Sequence, residues 1–230
     1  MGEGIRKYGT PTRSNRKEYT RPTTTTKVRV MGNAEAVAKQ KHAVNAGLNP
    51  KEVATLKKLE DKNRLRKTEQ ANFVDEDGNV YFSKNGSKSR VKFYPYEAQL
   101  MEDKIMTHNH PQEGTFGSGL ASQIGIPING VDVSVAMKYN AKEVRASAQG
   151  YVFSVKRPKG GWQGNPDEVA KDFQSAFNSS RAFLYKYVGG AKTDKEAYNR
   201  QGRYNVGRQN EIMRKLAKKY GFIYSRAKMS

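Results

Sequence analysis

The 230-residue chain contains no cysteine. That absence excludes a disulfide framework, a thiolate zinc ribbon and a thiol nucleophile, and leaves histidine and carboxylate side chains to hold any metal. Histidine is itself scarce, with three residues, and tryptophan occurs once. No run of about 18 apolar residues is present, so no membrane span and no membrane partner are expected. Met1 to Tyr19 is basic and polar and lacks the apolar stretch of a signal peptide, so export by that route is not expected. We read a soluble protein.

Acidic residues are few as well, 22 against 42 Lys and Arg, for a formal net charge of +20. The excess is uneven. Residues 1–66 carry 16 basic against 6 acidic groups and residues 161–230 carry 14 against 6, whereas 67–160 are near balance at 12 against 10. Basic flanks suit a protein working beside DNA or another polyanion, because Lys and Arg release condensed counterions from phosphate. A solvated basic surface is the plainer alternative. The apolar fraction of 36% is low for a globular domain, yet 13 Tyr, 9 Phe and clear apolar periodicity argue against a wholly disordered chain.

Residues 1–32 mix scattered Lys and Arg with Pro11, Pro22 and Thr23 to Thr26 and show no period, which predicts a disordered or extended arm. Helical spacing begins at Asn33 and ends near Gly47; Asn49-Pro50 then caps a second helix predicted to reach Arg66. Its apolar stripe, Val53, Leu56, Leu59 and Leu65, is narrow and suits docking on a neighbour. From Thr68 the period becomes two. Gln70–Val74, Asn79–Ser83 and Ser89–Phe93 read as a three-stranded meander, with turns at Asp75–Gly78 and Lys84–Gly86. Asp75, Glu76 and Asp77 fit turn chemistry and not a calcium loop.

A short helix is predicted over Tyr96–Glu102, a buried strand over Lys104–His108, a helix over Val131–Asn140, and strands over Glu143–Ala148 and Tyr151–Arg157. After a linker containing Trp162, which reads as a packing residue, two long helices are expected, Pro166–Val188 and Asp194–Tyr220. Gly202 and Gly207 weaken the second and invite a break. Tyr185, Tyr187, Tyr198, Tyr204, Tyr220 and Tyr224 are interleaved with Lys and Arg; such rings can stack on bases, or simply pack.

Two of the three histidines stand in Thr107-His108-Asn109-His110-Pro111. At the end of a strand, residues two apart share a face, so both imidazoles can reach one ion. Surface or hydrogen-bonded histidines are the alternative. The letters His-Asn-His do not make an HNH nuclease, whose residues are spread over a ββα unit. Glu69 precedes the pair by one hairpin and Asp132 follows where a helix begins, although Asp132 can equally be a carboxylate placed at a helix start.

This ordered set resembles the JAMM metalloprotease family, the JAB/MPN-like domains, over about Thr68 to Pro158. The form with His-Asn-His-Pro and then Lys142-Glu-Val-Arg-Ala146 looks most like such domains in phage head-morphogenesis or minor head proteins and related mobile-element proteins. The resemblance implies Zn2+ held by His108, His110 and Asp132, with Glu69 as the general base that activates the attacking water. Ser118 meets the family's first spacing, but Ala121 then stands at the acid position. An insertion in the loop is therefore placed before Asp132, which puts Asn129 where the family has its oxyanion-stabilising serine.

The expected architecture is α+β: a JAB/MPN-like mixed sheet with helices at 67–160, a basic arm at 1–32, a helical extension at 33–66 and a basic C-terminal helical region at 161–230. Candidate polyanion contacts are Arg6, Lys7, Arg13, Arg16, Lys17 and Arg21 in the arm, and Arg214, Lys215, Lys218 and Lys219 in the last helix. Two functions follow from the resemblance. One is a zinc-dependent peptidase or isopeptidase acting in a nucleic-acid-containing assembly, in the host cytoplasm or the virion interior. The other is a catalytically inactive structural head protein whose basic flanks bind DNA, capsid or portal.

Overall fold

In the computed structural model the described residues are 40, 42–111 and 125–229, all within one structural unit, Gly32–Ser230. They form an α+β fold on one mixed sheet of six strands, ordered β2-β1-β3-β4-β5-β6. The strands are β1 (Gln70–Val74), β2 (Val80–Asn85), β3 (Ile105–Asn109), β4 (Glu143–Ser147), β5 (Tyr151–Lys156) and β6 (Ile223–Lys228). All neighbours pair antiparallel except β3 and β4, which run parallel. A parallel pair needs a crossover, and here it carries helix α3 (Gly130–Lys138).

The other helices are α1 (Pro50–Asn63), α2 (Pro95–Gln99), α4 (Pro166–Ser179), α5 (Arg181–Val188) and α6 (Asp194–Tyr220). One face of the sheet packs Phe73, Met106, Val144, Phe153 and Val155 with Val133 and Ala136 of α3, Val169 and Phe173 of α4, and Ile212 and Met213 of α6. Helices α3 and α4 approach closely because residue 130 is glycine: a Cβ there would stand 2.4 Å from the Cβ of Phe173. That approach sets the first turn of α3 over the end of β3.

Helix α1 covers the opposite face. Its start is as the sequence predicts, with a capping box in which Glu52 N–H donates to Asn49 Oδ1 at 3.0 Å and Asn49 N–H to Glu52 Oε2 at 2.8 Å. Its inward stripe, however, is mostly polar: Glu52, Leu56, Glu60 and Asn63 are buried, while Leu65 is 68% exposed. The reason lies on the sheet, where buried Arg145 and Glu143 face the helix. Arg145 donates to both oxygens of Glu60, at 2.6 and 3.2 Å, and to Glu143 Oε1 at 3.1 Å; Ser154 Oγ donates to the same Glu143 oxygen.

The structure corrects several local expectations. Residues 89–93 are not a strand; the backbone from Gly86 turns back on itself, with Ser87 N–H donating to Arg90 O, and Val91 and Phe93 close over a pocket beside β1. The helix expected over Pro166–Val188 breaks at Ser180, whose hydroxyl donates to Phe177 O at 2.6 Å while its carbonyl accepts from Tyr204 Oη at 2.8 Å. Helix α6 continues through Gly202 and Gly207, anchored by buried Val206, Ile212, Met213 and Leu216. It ends at Gly221 in the left-handed conformation, φ 74°. The chain then reverses into β6, a strand with no sequence counterpart above, so residues beyond 160 supply both a sheet strand and part of the main core.

The helix expected to end near Gly47 is described at 42–45, with Gly47 at φ 76°. The arm, 1–32, lies outside the described residues.

Candidate metal centre

His108 and His110 alternate with Thr107 and Asn109 at the carboxyl end of β3, so both imidazoles lie on the face covered by α3. Each is 5% exposed. Their Nε2 atoms are 2.9 Å apart. His110 Nδ1 lies 2.9 Å from the carbonyl oxygen of Ile126; donation to that carbonyl fixes the tautomer and turns the Nε2 lone pair toward His108. Burial pushes His108 down to about 4, against the pull of the Asp132 carboxylate, so its imidazole is neutral at pH 7 and able to ligate.

Asp132 comes from the third residue of α3. Its Oδ2 accepts from Asn129 N–H at 2.9 Å and lies 3.8 Å from His110 Nε2, while Oδ1 is 3.6 Å from His108 Nε2. The two readings of this residue therefore coexist: it caps the helix and it also faces the histidines. The three donor groups have ligand atoms within 4.8 Å of one another, so His108, His110 and Asp132 form a group that could hold a metal ion. For a tetrahedral ion with bonds of about 2.0–2.1 Å, donor atoms stand about 3.3 Å apart. The observed separations of 2.9, 3.6 and 3.8 Å straddle that value, and the donor set of two imidazoles and one carboxylate suits a divalent cation.

Glu69 lies just before β1. The β1–β3 register pairs Ala71 with His108, and continued by two residues it sets Glu69 opposite His110. Its side chain lines the same pocket, about 290 Å³ in volume, as His108, His110, Asn129 and Asp132. Burial pushes its carboxyl up to about 6; His110 opposes the rise, Asp132 adds to it, and a hydrogen bond from the Val91 backbone opposes it. A carboxylate titrating there is suited to accept a proton near neutral pH.

Asn129 caps α3, its Oδ1 accepting from the N–H groups of Val131 at 2.8 Å and Asp132 at 3.3 Å. The backbone thus takes up its oxygen, leaving the Nδ2 donor as its chemical resource at the pocket.

No match was found among protein-family models, curated proteins or solved structures. The site therefore rests on its own geometry.

Sequence reading missed one residue that organises the centre. Asn109, between the two histidines, faces the other side of the sheet, is fully buried, and binds both neighbours of Glu69: Gln70 N–H donates to its Oδ1 at 2.7 Å and its Nδ2 donates to Thr68 O at 3.1 Å. The signal was available in strand alternation, which makes Asn109 an inward polar residue needing partners. It clamps the segment carrying the carboxylate to the strand carrying the imidazoles.

Among the polyanion candidates, Arg6, Lys7, Arg13, Arg16, Lys17 and Arg21 lie outside the described residues, as does Ser118. Arg214, Lys215, Lys218 and Lys219 are exposed on α6, where Lys215 pairs with Glu211 at 2.8 Å and Lys219 with Asp172 at 2.6 Å. No helix among the described residues is long and apolar enough to cross a membrane.

Proposed function

We propose that this chain is a zinc-dependent peptidase or isopeptidase of the JAMM type, working in a nucleic-acid-containing assembly of a phage or mobile element. One observation carries the reading. Glu69, His108, His110 and Asp132, which follow one another in the sequence in the family's order, converge on one pocket from the residue before β1, the end of β3 and the first turn of α3.

His108, His110 and Asp132 hold the ion, which supplies Lewis acidity toward water and the scissile carbonyl when bound. Glu69 takes the proton of the attacking water and returns it to the leaving amine; its raised carboxyl sits close enough to neutrality to do both. Asn129 Nδ2 donates to the oxygen that gains charge as the carbonyl becomes tetrahedral.

Elemental analysis of the purified chain tests the site. About one zinc per chain is expected, lost in His108→Ala and Asp132→Ala and kept in Glu69→Gln, while Glu69→Gln abolishes cleavage of a quenched-fluorescent peptide library. A wild-type chain that takes up no zinc when supplied with it refutes the reading. The exposed basic residues Arg214 and Lys218, with no carboxylate partner among the described residues, favour a second reading: an inactive structural head protein held to DNA, capsid or portal.

A further inference from the structure

Helix α5 is unusual in what it exposes. Its sequence, Arg-Ala-Phe-Leu-Tyr-Lys-Tyr-Val, is rich in large apolar groups, yet none of Ala182 to Val188 is buried; Phe183 is 67% exposed and Tyr185 73%. Phe183 and Tyr187, one helical turn apart, form one wall of a groove of about 530 Å³ against α6, and Arg203, Tyr204 and Gly207 form the other. The Tyr187 and Tyr204 rings stand 6.0 Å apart across it.

Gly207 is a second, independent sign. Glycine within a helix weakens it, and packing does not demand it here, since a Cβ would meet nothing within 4 Å. What it provides is an open floor beneath the aromatic wall.

Charge selects the occupant. Residues 182–211 carry six basic against three acidic groups, and Arg203 at the groove is exposed with no carboxylate partner among the described residues. A second copy on this face would bring together two chains of net charge +20, which like-charge repulsion opposes. A polyanion carrying flat rings satisfies both features. We propose that the α5–α6 groove binds single-stranded nucleic acid, with bases stacked on Phe183 and Tyr187 and phosphate beside Arg203. Duplex cannot use the groove in this way, because its bases are already stacked. The inference goes beyond the metal centre and stands whether or not that centre cleaves anything.

Fluorescence anisotropy of the full chain tests it, with labelled oligothymidine, oligouridine and a duplex of the same length as probes. Phe183→Ala and Tyr187→Ala should each weaken single-strand binding about fivefold or more while leaving duplex binding and the salt slope unchanged. Arg203→Ala should instead flatten the salt slope for the single strand. Gly207→Leu, which fills open space, should block the single strand while the helical circular-dichroism signal stays that of wild type. No single-strand binding by the wild-type chain, equal losses on single strand and duplex, or self-association abolished by Tyr187→Ala would each overturn the proposal.

Discussion

Replacing Arg145 with methionine tests how α1 is held to the sheet behind the metal centre. Arg145 is 2% exposed and serves two buried carboxylates, Glu60 and Glu143. Removing one partner of a buried ion pair costs about 3–5 kcal/mol, chiefly because the remaining charge is stranded. Against a domain stability of about 5–15 kcal/mol, the variant should be folded but close to its limit.

The pH dependence has a definite sign. Burial already pushes the Glu60 carboxyl above its ordinary value, against the pull of Arg145. A carboxyl raised in the folded state stabilises the fold below the unfolded pKa and loses that contribution as pH rises through the folded value. Without the guanidinium, Glu60 rises further, so the deficit of Arg145→Met relative to wild type should be full at pH 7.5 and shrink toward pH 5.

Urea unfolding followed through Trp162 fluorescence measures this, since that ring packs against Phe222 and donates to Ala141 O at 2.9 Å. A deficit below about 1 kcal/mol, or one unchanged between the two pH values, refutes the reasoning. Replacing Glu60, Glu143 and Arg145 together with apolar residues of similar volume should recover most of the loss.

Three further outcomes are expected. Gly130→Ala should destabilise by about 1–3 kcal/mol, because its methyl meets Phe173, and should weaken zinc binding measured by calorimetry, because the same shift moves Asp132; unchanged affinity would show that α3 adjusts freely. Asn109→Leu should cost about 2 kcal/mol through the stranded Gln70 amide and Thr68 carbonyl. It should keep one bound zinc while cleavage falls, and loss of the metal would remove Asn109 from its role as the Glu69 clamp. Zinc at 100 times its dissociation constant should stabilise the chain by about 2.7 kcal/mol in thermal melts, reversed by chelator and absent in His110→Ala.

The grouping of His108, His110 and Asp132 was legible in the sequence, partly through strand alternation and partly through the resemblance. Strand alternation puts His108 and His110 on one face; Asp132 was reached through the family resemblance, with a helix-start carboxylate as the alternative, and the structure gives it both positions. What periodicity could not reveal was long-range compensation. The buried face of α1 is polar because Arg145, some 85 positions away, supplies the charge that Glu60 needs; an apolar stripe was the natural expectation without that partner. Strand β6 escaped notice because Ile223 to Lys228 is half polar and becomes a strand only by completing the open edge of β5. Residues 89–93 have strand composition, yet Val91 is spent on Glu69 and Phe93 on the Phe73 and Phe82 rings.

The double duty of Asp132 has an evolutionary corollary. A residue that starts a helix is maintained by folding alone, so the carboxylate would survive in a lineage that binds no metal there. The buried imidazoles enjoy no such shelter: two rings packed edge to face, one of them depressed to about 4, add nothing to the fold that a pair of apolar residues would not supply better. Under the proposed function, relatives that give up the metal should therefore lose His108 and His110 first and keep Asp132, and the order of loss would record when binding ended.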